Sequence, residues 1–114
     1  MTLEETQRVI EAELTAGRQA RKAGNEGMVR VCVRRAAGAA LGFWLETHPR
    51  QGWGMDAMTR LKGLAQAVDV SGEVRDAASR LTARVTSAFT SPHTTDPLED
   101  ARIIIRHLLG SDPS

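Results

Sequence analysis

The side chains best suited to chemistry are one imidazole and two guanidiniums toward the C-terminal end of the chain: His93, Arg80 and Arg84. His93 lies in Thr90 to Asp96, TSPHTTD, the longest polar run in the sequence. Histidine changes charge near neutral pH, and loops carried by rigid helices are where binding sites concentrate. Arg80 and Arg84 stand one helical turn apart on the segment leading into that run, which makes them neighbours. Together the three form the candidate binding set, two cations beside a group that titrates. The plainer reading of the same residues is an exposed loop next to a solvated helix face.

A second group of cations, Arg30, Arg34 and Arg35, falls inside an otherwise apolar stretch. An unpaired buried charge is costly, so each must reach solvent, an acid or an interface. Glu11 and Glu13 on the preceding segment are the acids within reach, and structural pairing is the expected role rather than binding of an anion or nucleic acid. Other chemistries find no footing. There is no Gly-rich phosphate loop and no HExxH or similar ligand spacing. His48, His93 and His107 are too dispersed to make one metal site, and the expectation is no metal, no cofactor and no catalytic set. Cys32 is the only cysteine, so no intrachain disulfide forms. Its place in an apolar stripe marks it as a protonated core thiol.

Composition sets the frame for these residues. The 114 residues suit one helical domain over 1–114, and a hydrophobic fraction of 41% with 25% charged is that of an ordinary globular protein. Fifteen Lys and Arg against fourteen Asp and Glu give a net charge of +1. That supplies no general field for gathering nucleic acid, and leaves only a local basic face for such a partner. No signal-like segment and no apolar run of roughly 20 residues occurs, so cytoplasmic location and no membrane contact are expected.

The element on which the rest is organised is Met28 to Leu45, MVRVCVRRAAGAALGFWL. Val29, Val33, Ala36, Ala40 and Trp44 recur at helical spacing, and the small block Ala36–Ala40 lets another helix come close. Before it, Thr2-Leu3-Glu4-Glu5 reads as a capping box opening a helix to about Ala23, with Leu3, Ile10, Leu14 and Val9 apolar; Gly24 stops it and Asn25 caps the next. The central helix runs to about Thr47 and is ended by His48-Pro49. A Gly- and Pro-rich turn to Gly54 carries Trp53, expected to fold back over the bundle end. A third helix is predicted from Met55 or Asp56 to Val68, with Met55, Met58, Leu61, Leu64, Ala65 and Val68 inward. A fourth, capped by Ser71, has Val74, Ala78, Leu81, Val85 and Phe89 at helical spacing. Asp96-Pro97-Leu98-Glu99 combines an N-cap with proline at the first helical position, opening a last helix with Ala101, Ile104, Ile105 and Leu108 inward and a stop at Gly110. Residues 111–114 are expected to fray. The prediction is all-α, a five-helix up-and-down bundle.

This layout resembles the HEPN domain family, all-helical proteins that commonly dimerise. The matching parts are the small-residue helix Val33 to Leu45, the Gly/Trp turn into Asp56-Ala57-Met58-Thr59-Arg60-Leu61, and Leu81 through Pro92 followed by Asp96-Pro97-Leu98-Glu99-Asp100-Ala101. Where many members carry an aromatic and Arg-Tyr-Pro before the last helix, this chain reads Thr90-Ser91-Pro92; where many carry histidine before the third helix, it has Met55. Ribonuclease members use an arginine followed after four to six residues by a histidine. In such a pair arginine steadies phosphate charge while histidine moves a proton. Arg102 and His107 meet that spacing. Inside one continuous helix, however, five steps of about 100° set them about 140° apart. The resemblance therefore implies a non-catalytic, HEPN-like domain that forms a homodimer and binds a protein or nucleotide-related partner, a separately encoded nucleotidyltransferase being the partner implied. A metal-independent endoribonuclease or toxin, and a purely structural assembly protein, are the alternatives.

Overall fold

Helix boundaries follow the polar caps. In the computed structural model, which describes residues 1–83 and 95–110, five helices form: α1 Leu3–Lys22, α2 Glu26–Leu45, α3 Ala57–Ala65, α4 Gly72–Thr82 and α5 Pro97–Leu109. Four begin with a side chain accepting from an otherwise orphaned backbone N–H. Thr2 Oγ1 accepts from Glu5 at 3.1 Å, Asn25 Oδ1 from Met28 at 3.0 Å, Asp56 Oδ1 from Thr59 at 2.8 Å and Asp96 Oδ1 from Leu98 at 2.9 Å. Ser71 stands at the N-cap of α4 but makes no such bond. Between α1 and α2 the chain reverses through Gly24 at φ 77°. There the Gly24 N–H donates to the Arg21 carbonyl and the Asn25 N–H to that of Ala20. This is the paired closure that a left-handed residue permits.

Consecutive helices pack on one another in an up-and-down bundle, and α5 returns to α2 to close it, while α1 lies mainly along α2. Among the described residues there is no strand, and no helix is long and apolar enough to cross a membrane. The central helix is the most heavily buried element, with Val29, Cys32, Val33, Ala36, Ala37, Gly38, Ala40 and Leu41 all inside. Against it pack Ile10 and Leu14 of α1, Leu61 and Leu64 of α3, and Ala101, Ile104, Ile105 and Leu108 of α5. At Gly38 the backbones of α2 and α3 come so close that a Cβ would stand 2.6 Å from that of Ala57.

Several expected positions move. Leu3 and Val9 are exposed and Thr6 is buried in their place, its hydroxyl donating to the Thr2 carbonyl at 2.8 Å. Helix α2 ends at Leu45 rather than Thr47. Helix α3 is shorter than predicted, and Met55 and Val68, expected inward, are 85% and 87% exposed. Met55 precedes the Asp56 cap, so it never enters the helix. Past Leu64 the chain tightens into three-residue turns, the Ala67 N–H donating to Leu64 and that of Val70 to Ala67. A three-residue repeat buries Leu61, Leu64, Ala67 and Val70 and turns Val68 outward. Val85 and Phe89 fall outside the described residues, as do residues 111–114.

The start of α5 is also tied to α1, since Arg21 donates to Asp96 Oδ2 at 2.7 Å and to Glu26. Burial acts to raise the Asp96 pKa, but the Arg21 bond and the Leu98 N–H outweigh it and hold the carboxyl below its ordinary value. A depressed carboxyl stabilises the fold above its unfolded pKa of about 4, and that contribution fades as pH falls through the folded value. Asp96→Asn keeps the cap but loses the charge. It is expected to cost about 0.5–1 kcal/mol at pH 7, the range of a partly exposed pair, and progressively less as pH falls from about 4 through the folded value. Urea titrations across that pH range check this.

Candidate functional site

Arg80 occupies the last turn of α4, where its guanidinium turns inward rather than toward solvent. Its Nε and Nη2 both donate to Asp100 Oδ1, at 3.0 and 2.8 Å. Asp100 lies in the first turn of α5 and is only 2% exposed. The bond to this carboxylate raises the Arg80 pKa further above its already high value. The pair thus clamps the end of one helix to the start of the next.

Arg30 and Arg34 reach the same place from α2. Arg30 Nη2 donates to the carbonyls of Arg80 at 2.9 Å and Ala83 at 3.1 Å, and Arg34 Nε donates to that of Leu81 at 2.6 Å. These oxygens lie at the C-terminal end of α4 and its cap, where the helix dipole favours cations. Burial, and then the neighbouring charge of Arg30, lower the Arg34 pKa. The expected acidic partners on α1 therefore serve neither residue in these bonds. Arg35 does meet Glu13, at 3.9 Å. Three guanidiniums and one buried carboxylate make this a cation-rich helix end. It can hold an anion or fix a chain segment.

The expected set of Arg80, Arg84 and His93 is described only at Arg80. Arg84 and His93 lie outside the described residues. Helix α4 closes at Thr82, where Ala83 adopts extended backbone with ψ 145°; the helical positions predicted beyond it, Val85 and Phe89, lie outside the described residues. Arg102 and His107 are both exposed on a helix that continues unbroken through them. Among the described residues no group of three His, Cys, Asp or Glu side chains is placed to hold a metal ion. Cys32 is buried, and desolvation raises its pKa.

A second cluster gathers where α2 runs into the turn before α3. The Trp44 ring stacks on His48 with centroids 4.4 Å apart and lies 6.1 Å from Trp53. Arg50 sits 5.2 Å from the Trp44 ring and 5.5 Å from that of Trp53, while binding Asp69 through two bonds of 3.0 and 2.6 Å. Trp53 does fold back, its ring resting on Gly63 where a Cβ would lie 2.6 Å away. The faces of these rings are taken up by one another and by Arg50.

Sequence reasoning missed Asp100 as the partner of Arg80 and the α4 carbonyls as partners of Arg30 and Arg34. Asp100 carries one legible signal: an acid one turn inside a helix N-terminus on the apolar side, in phase with Ile104 and Leu108. An acid there needs a cation. Which cation it meets depends on how α4 and α5 pack. Compared with known proteins, the chain matches no family model, no curated protein and no solved structure.

Proposed function

We propose that this chain is a non-catalytic all-α domain that self-associates as a homodimer and binds a protein or nucleotide-related partner. One observation carries the non-catalytic part. Among the described residues, those that the sequence offers for phosphate chemistry are spent or separated: Arg80 is bound to buried Asp100, and Arg102 and His107 are exposed on one unbroken helix. About 100° per residue turns those two to different sides, away from a common phosphate. Association is supported by the solvent-facing apolar residues Met28, Met55 and Val68, in a short chain built largely from small and aliphatic side chains. The HEPN-like layout read from the sequence supports a small nucleotidyltransferase, encoded separately, as the partner.

The test combines mass and activity. Sedimentation at micromolar concentration is expected to give twice the chain mass of 12.4 kDa. Incubation with single-stranded RNA in chelator is expected to leave the RNA intact. Cleavage by the wild-type protein that His107→Ala or His93→Ala abolishes would instead establish the ribonuclease alternative. A monomer would remove the dimer from the proposal.

A further inference from the structure

A cleft of about 210 Å³ opens beside α2 and α3, lined by Met1, Ala39, Gly42, Phe43, Glu46 and Arg60. Two of its side chains carry charge. Glu46 accepts from the Met1 ammonium, 3.3 Å from its Oε1, in a half-exposed pair. Arg60 has no hydrogen-bonded or ionic partner among the described residues, and its Nε is buried without an acceptor. The uncompensated charge of the cleft is therefore that of Arg60.

Gly42 explains how the guanidinium comes to lie there. A Cβ at Gly42 would stand 2.8 Å from Arg60 Nη1 and 3.5 Å from its Cζ, so the group rests on bare α2 backbone. A single guanidinium offers two parallel donors that match a planar carboxylate. Glu46 in the same lining opposes a second negative charge, which disfavours a phosphate dianion. Ala39, Phe43 and Met1 supply an apolar wall, and small-molecule sites pair such walls with a few fixed polar groups.

We propose that this cleft binds a small monocarboxylate with an apolar body, its carboxylate on the Arg60 guanidinium above Gly42 and its body against Ala39 and Phe43. The site is independent of the homodimer and of the partner proposed above.

The experiment titrates isotopically labelled full-length protein with hexanoate, and separately with hexylamine and inorganic phosphate, following the Arg60 Nε–H and Gly42 N–H resonances. Hexanoate is expected to saturate with a Kd on the order of 1 mM, with phosphate at least about tenfold weaker and hexylamine not saturating. Arg60→Gln and Gly42→Leu are each expected to weaken hexanoate about tenfold, the first by removing the fork and the second by filling the cleft. Glu46→Gln is expected to tighten it. No saturation by hexanoate up to about 20 mM, or phosphate binding more tightly than hexanoate, would overturn the proposal. So would equal hexanoate affinity in folded Arg60→Gln. The ranking of the three probes needs only the wild-type protein, so the site can be rejected even if a variant fails to fold.

Discussion

A Gly38→Leu variant is expected to unfold at a urea concentration about 1–2 M below that of the wild type, a loss of roughly 2–3 kcal/mol at the slope usual for a small domain. The cause is the crossing of α2 over the start of α3. Even the single carbon of alanine would stand 2.6 Å from Ala57 Cβ and 3.0 Å from its Cα. The second of these is backbone, which no rotamer change can move aside, so the two helices must separate. Gly38→Ala sets two effects against each other. Alanine is favoured over glycine inside a helix by about 0.5–1 kcal/mol, while overpacking costs about 1–3 kcal/mol. With contact this short, overpacking wins and the variant is expected to lose about 1 kcal/mol. Gly27, in the first turn of the same helix, supplies the contrast, since the nearest atom to a Cβ there is Asn25 Oδ1 at 3.7 Å. Gly27→Ala is expected to be neutral or stabilising by up to about 1 kcal/mol. Equal midpoints for Gly38→Ala and Gly27→Ala would disprove the close crossing.

The second large effect belongs to the clamp between α4 and α5. Arg80→Ala is expected to cost about 2–3 kcal/mol, because it leaves Asp100 buried without its guanidinium. Breaking a fully buried pair costs about 3–5 kcal/mol; the lower figure reflects an Arg80 side chain that keeps 22% of its exposure. Asp100→Ala is expected to cost less, since the arginine left behind can turn toward solvent. Replacing both by leucine tests the physics directly. A buried ion pair exchanged for apolar groups of similar size is often neutral or better, so Arg80→Leu/Asp100→Leu is expected to lie within about 1 kcal/mol of wild type. The double-mutant cycle then isolates the coupling. If Arg80→Ala left the denaturation midpoint unchanged, the ion pair would not be structural, and Arg80 would return to the candidate binding set.

Local signals were legible wherever the structure answers locally. Thr2, Asn25, Asp96 and Pro97 stand where a short acceptor or a missing N–H is needed, and Gly110 stands where φ reaches 76°. Helical periodicity located Ile10, Leu14 and the inward face of α5. It failed around α3 because a period of 3.6 was extended over turns of three residues, which turned Val68 from core to surface. The arginines failed for a different reason. Their apolar surroundings showed that Arg30 and Arg34 needed partners, but the partners are carbonyl oxygens some fifty residues away. Every residue has a carbonyl, so nothing in its side-chain sequence marks which helix end will take up a cation. Of the candidate site, the need for pairing was visible and the pairing was not.

The placement of Trp44 and Trp53, 6.1 Å apart at one end of the bundle, decides what light can report about this protein. With no tyrosine in the chain, ultraviolet emission comes almost wholly from these two indoles, and so from the junction of α2 and α3. A melt followed by emission reads the loosening of that junction and is nearly blind to α1 peeling from α2 or to α5 lifting away. Far-ultraviolet dichroism, by contrast, weighs all five helices by length. Coincident curves from the two methods would mean that the molecule melts as one cooperative unit, whereas a dichroism loss that precedes the emission change would mark a helix remote from that junction, α1 or α5, as a separately melting arm.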